Sequence, residues 1–84
     1  MIPGNINRDH IIMAIKEIDE NGVPKKRHSR KYLLEFNGRH YPPKYVISLA
    51  NKYANGHELN PEKFGGGKVT NGFLEMRGFS IIEI

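Results

Sequence analysis

The sequence predicts an α+β fold: a small three-stranded antiparallel sheet, one β-hairpin plus a C-terminal strand, packed against two to three helices in the order α-β-β-α-α-β. Three observations carry that prediction. Apolar residues recur at helical spacing from Asn7 to Asn21, and Asn37-Gly38 stands between two short strand-like runs. Pro42-Pro43 then opens a second helical pattern, and the chain closes on the apolar run Phe79 to Ile84.

The first helix is read from Ile11, Ile15 and Ile18, with Ile12 and Ala14 widening the stripe. Asn7 is its N-cap, Asp9 suits the positive end of the helix dipole, and Gly22 stands at the C′ position. Val23-Pro24 stops the helix and feeds the basic stretch Lys25 to Lys31. Tyr32 to Phe36 then reads as a strand, Asn37-Gly38 as a type I′ turn and Arg39 to Tyr41 as the returning strand. A two-residue turn sets Phe36 opposite Arg39, Glu35 opposite His40 and Leu34 opposite Tyr41. Tyr32, Leu34, Phe36 and Tyr41 thus share one apolar face expected to be buried, and Leu33, Glu35 and His40 share the other.

Pro43 suits the first turn of a second helix running to about Ala54, with Val46, Leu49, Ala50 and Tyr53 on one face and Asn55-Gly56 closing it. Asn60-Pro61 reads as the cap and first residue of a short turn ending near Phe64, and Gly65-Gly66-Gly67 as a hinge. A short third helix is expected from about Thr70 to Arg77, with Gly78 at C′. Phe79 to Ile84 is the last strand. Its two faces are both apolar, which predicts a central position in the sheet.

The 84 residues allow one domain, with its core between about residues 7 and 82. There is no cysteine, so no disulfide or all-cysteine zinc site supports it, and a reducing compartment such as the cytoplasm is expected. Met1 to Asn5 is neither basic nor followed by an apolar run long enough to read as a signal peptide, and the longest uncharged apolar stretch, Tyr45 to Ala50, is far too short to span a bilayer.

Charge is distributed unevenly. Between Lys25 and Lys44 lie seven basic residues and one acid, Glu35, a charge of +6. Everything else holds six basic residues and eight acids, a charge of −2, which together give the net +4. Such a face on an otherwise acidic small domain points to a polyanion, with duplex DNA phosphates leading, or else to a merely solvated loop. The candidate contacts are Lys25, Lys26, Arg27, Arg30, Lys31, Arg39 and Lys44. Phosphate contacts of this kind position a protein and read no sequence. Of the aromatic residues among them, Tyr45 is the one free to stack on a base; the hairpin register turns Tyr32, Phe36 and Tyr41 towards the core.

Catalytic and metal motifs are missing. Gly65-Gly66-Gly67-Lys68 is not a Walker A loop, because Glu62 and Val69 stand where glycine and serine or threonine belong. The glycine amides, Lys68 and Asn71 can hold at most a phosphate oxygen near a helix start. His10, His28, His40 and His57 have no ligand spacing, no nucleophile elbow is present, and no histidine pair suits an HNH unit. No catalytic residue, metal or cofactor is implied.

One longer pattern remains. Asn21-Gly22-Val23-Pro24, Arg27-x-Ser29-x-x-Tyr32, Asn37-Gly38-x-x-Tyr41-Pro42-Pro43-Lys44-Tyr45-Val46-Ile47-x-x-Ala50, Phe64-x-Gly66-Gly67 and Leu74-x-x-x-Gly78-Phe79-x-Ile81 form one series. It resembles the N-terminal head domain of ScoMcrA-like, modification-dependent restriction endonucleases, from about Asn7 to Ile82, with Tyr41 to Ala50 its most specific segment. In that family the head precedes readers of modified bases or phosphorothioate and an HNH nuclease. The resemblance implies a DNA-defence context and an accessory role, in an excised or a free-standing head, and it carries over no catalytic residue. Two rival roles are docking against reader or nuclease domains and recognition of modified DNA by the head itself.

Overall fold

Asn7 starts the first helix, α1 (Arg8–Asn21), in the computed structural model, which describes residues 1–84. Its side-chain oxygen accepts from the His10 N–H at 3.1 Å, and His10 Nδ1 accepts from the Asn7 N–H at 3.0 Å. This reciprocal cap satisfies two backbone donors that the first turn would otherwise leave bare. The helix buries Ile11, Ala14, Ile15 and Ile18, the expected stripe, and Gly22 closes it at φ 77°. The basic stretch that follows is not a plain loop: Lys25–Arg27 forms a single 3-10 turn.

Strands β1 (Tyr32–Phe36) and β2 (Arg39–Tyr41) form the hairpin in the expected register. Asn37 and Gly38 both hold positive φ, at 51° and 77°, as a type I′ turn requires. Glu35 and His40 meet on the open face, 3.5 Å apart. The face towards the helices is buried only at its middle, where Leu34 and Tyr41 lie. Tyr32 and Phe36, expected to be buried, stay half-exposed at the ends of β1. Phe36 is covered on one side by Phe79, with ring centroids 5.7 Å apart.

Helix α2 (Pro43–Asn55) begins at Pro43 and ends at Gly56 in the left-handed region, φ 90°. It lies between α1, α3 and β1. Helix α3 (Lys68–Glu75) starts two residues earlier than expected, because Gly67 takes φ 58° as its N-cap. Its C-terminal closure is the expected one. Gly78 (φ 86°) donates to the Glu75 carbonyl at 3.0 Å, and Phe79 to that of Leu74 at 3.1 Å. A Cβ at Gly78 would also lie 2.8 Å from Arg8 Nη1, the end of a flexible side chain that can shift aside.

The last strand, β3 (Ser80–Glu83), pairs antiparallel with β1, giving the sheet order β2-β1-β3. β1 is therefore central and β3 an edge, against the expectation from its two apolar faces. Ile81 faces the core beside Leu34, whereas Ile82 pairs with Leu33 on the open face. That cross-strand pair half-covers itself, which is enough to keep apolar residues on an uncovered side. The ends of the chain are tied by Arg77. Its guanidinium donates to the carbonyls of Ile6 (2.7 Å) and Phe73 (3.1 Å) and lies 3.4 Å from the centre of the Phe73 ring. No helix is long and apolar enough to cross a membrane.

Two outcomes follow from this packing. Leu34 is 0% exposed at the centre of the sheet, so Leu34→Ala costs about 2–5 kcal/mol, read from urea or thermal unfolding. A variant that melts within a degree or two of the parent contradicts the face assignment. The second concerns alkaline pH. Burial, helped by Asp19, which accepts the Tyr41 O–H at 2.7 Å, pushes the Tyr41 phenol up to about 12. Its unfolded value is about 10, so the folded chain holds this proton more tightly. The associated stability is complete below about pH 10 and is lost as pH rises towards 12. Stability measured against pH should therefore fall less steeply over that window in Tyr41→Phe than in the parent.

Candidate nucleic-acid interface

Ser48 sits in the middle of α2 with no access to solvent, and its hydroxyl must find partners. It donates to the Leu59 carbonyl at 2.8 Å and accepts from Arg27 Nη2 at 2.7 Å. The Arg27 guanidinium also lies over the Tyr45 ring, 4.8 Å from its centre. The 3-10 turn is thereby fastened to the start of α2. The arginine that fastens it is half-buried, and Lys25 and Lys26 on the same turn stay exposed.

An open groove of about 440 Å³ lies beside this turn. The segment Lys26 to Tyr32 forms one wall, Pro43 and Lys44 at the start of α2 another, and Gly66, Gly67, Thr70 and Asn71 at the start of α3 the third. No acidic side chain lines it, and none of its lysines or arginines pairs with a carboxylate. Two helix N-termini open onto it, neither with a side-chain cap. Their dipoles add positive potential to that of Lys26, Arg30, Lys31 and Lys44. The glycine triplet is more than a hinge here. Thr70 Oγ1 donates to the Gly65 carbonyl at 2.7 Å and holds the turn against α3.

Of the residues singled out from the sequence, the fold brings together Lys26, Arg27, Arg30, Lys31, Lys44 and Asn71. Lys44 Nζ lies 5.0 Å from the centre of the Phe64 ring, a cation–π contact that places the ammonium at the groove wall. Lys25 is exposed beside the groove but does not line it, and Lys68 does not line it either. Arg39 is elsewhere, on β2, bonded to Asp19 at 3.4 Å. Tyr45 is the clearest correction. It is only 8% exposed, and Arg27 covers its ring, so it cannot serve as the stacking platform expected of it. Burial pushes its phenol above the usual tyrosine range, with Glu58 adding to the effect.

The aromatic side chain that does line the groove is Tyr32. Alternation along the hairpin assigns it to the core, and that reading misses the groove that opens at the end of the strand, between it and the starts of α2 and α3. The convergence of α2 and α3 starts was also missed, although Pro43 and Gly67 mark both. No cluster of three or more histidine, cysteine or acidic side chains occurs that is suited to a metal ion.

A family model described as ScoMcrA-like, N-terminal head domain, matches residues 4–83. No curated protein and no solved structure matches the chain.

Arg27 and Lys26 are neighbours with different roles, and stability separates them. Arg27→Gln loses a charged hydrogen bond and a ring contact, and is expected to cost about 1–3 kcal/mol. Lys26→Gln should stay within about 0.5 kcal/mol of the parent. Equal melting temperatures for the two variants would show that Arg27 does not fasten the turn.

Proposed function

The chain belongs to the family of ScoMcrA-like N-terminal head domains, the heads of restriction proteins, and from that membership we propose that it is a non-catalytic module that holds duplex DNA by its phosphates. The observation that carries this reading is the acid-free groove, where Lys26, Arg30, Lys31 and Lys44 meet the starts of α2 and α3. Lys25 extends the same positive surface. Such contacts supply affinity and orientation, and sequence or modification is left to other domains of a restriction system. The cytoplasm, where a restriction system meets foreign DNA, is the site of action in this reading.

A second reading is favoured by a different surface. The open face of the sheet shows half-exposed Leu33 and Ile82, and beyond them Ile84, 68% exposed. This face suits docking against a reader or nuclease domain. The two readings differ in their response to salt, because apolar docking releases few counterions.

DNA binding followed by fluorescence anisotropy between 50 and 200 mM salt is the test. About four to five phosphate contacts give log K against log salt a slope of about −4. Replacing the exposed Lys25, Lys26 and Arg30 together by Gln should reduce the slope by about three and leave the melting temperature nearly unchanged. A flat salt dependence in the parent, or no binding at low salt, rules the phosphate reading out.

A further inference from the structure

Resting on the DNA reading above, we infer that the groove receives one unpaired nucleotide of a nucleic-acid strand, its phosphate on the basic wall and its base on Tyr32 and Asn71. Size is the first reason. A volume of about 440 Å³ is that of a small-ligand cleft, whose usual range is about 300–1,000 Å³. A double helix can lie across its rim but cannot enter, whereas a single nucleotide can.

The lining is the second reason. A site for phosphate alone needs only donors, and the basic side chains and helix amides supply them. This groove contains two features that phosphate does not use. Tyr32 presents a half-exposed ring, with Lys31 Nζ 5.4 Å from its centre, at the end of β1. A ring so placed can stack on any base, since every base has a π-face. Asn71, on the first turns of α3, holds a buried side-chain oxygen that accepts no hydrogen bond. It is the one buried side-chain polar atom in the protein without a partner. A phosphate, itself an acceptor, cannot satisfy it. The ring N–H or exocyclic amine of a base can, once the Asn71 side chain turns that oxygen out towards the groove it lines.

Pairing decides which nucleotide qualifies. In an intact duplex both faces of a base are stacked and its hydrogen-bonding edge is taken. Only an unpaired nucleotide offers a face to Tyr32 and an edge to Asn71 together. The recognition is indifferent to which base is presented, because stacking is sequence-tolerant and each base carries an N–H.

The test compares a perfect 14-base-pair duplex with the same duplex bearing one unpaired central nucleotide, by anisotropy at 100 mM salt. The parent should bind the bulged duplex at least about fivefold tighter, as one stacked base allows. Tyr32→Leu and Asn71→Ala should each bring that ratio close to one, in protein shown to be folded by its melting curve. If Tyr32→Leu does not fold, Asn71→Ala decides the matter alone. Equal affinity of the parent for both duplexes overturns the inference while leaving the phosphate reading in place. A ratio that survives in the folded variants also overturns it. No binding to either duplex overturns both.

Discussion

A helix buried on every side imposes the strictest requirement in this fold. From Tyr45 to Asn51 every residue of α2 is buried, because α1, α3 and the sheet all pack against it. Val46, Ile47, Leu49 and Ala50 meet that condition at no cost, but Ser48 and Asn51 do not. A buried polar group left unpaired costs about 1–3 kcal/mol, a large share of what a domain this small can afford. Both groups are satisfied by loops. Ser48 binds the Leu59 carbonyl and Arg27, and Asn51 donates to the His57 carbonyl at 2.9 Å. The polar interior of α2 therefore fixes the segment after the helix and the basic turn before β1.

The character of the cationic groove follows from that requirement. Its basic wall is held from beneath by Arg27, the one member of the cluster that hydrogen-bonds a buried side chain. The side chains around Arg27 reach no carboxylate. The N-termini of α2 and α3 meet at the same place, since α2 is central and α3 packs across it. Positive ends of two helices, four basic side chains and a glycine turn then share one concavity.

The charges on the α1 side of the molecule behave differently. Glu17 accepts from Lys52 Nζ at 2.6 Å and from the Tyr53 hydroxyl, and these bonds hold its carboxyl below the usual range. The same bonds raise Lys52 and Tyr53. Asp19 plays the matching part for Tyr41 and Arg39. Acids on α1 thus clamp that helix to α2 at one point and to the hairpin at another. Arg39 belongs to this clamp, which explains why a residue inside the cationic window of the sequence lies outside the groove.

The sequence by itself determined the elements whose cause is local. The cap at Asn7, the turn at Asn37-Gly38, the start at Pro43 and the stop at Gly78 each depend on the conformational preference of one or two residues, and each stands where it was expected. Hairpin register was equally legible, because a two-residue turn leaves one pairing. Tertiary structure decided what depends on neighbours far away in the chain. Ile82 and Ile84 make β3 look central until the pairing of Ile82 with Leu33 across the open face is known. The sequence assigns Tyr32 to the core and leaves Tyr45 free, yet Arg27 closes off Tyr45 and Tyr32 lies open to the groove. Composition reports how much charge a window holds. Which of those charges are spent on buried hydrogen bonds, and which remain for a ligand, is set only when α2 is enclosed and its polar groups find their partners.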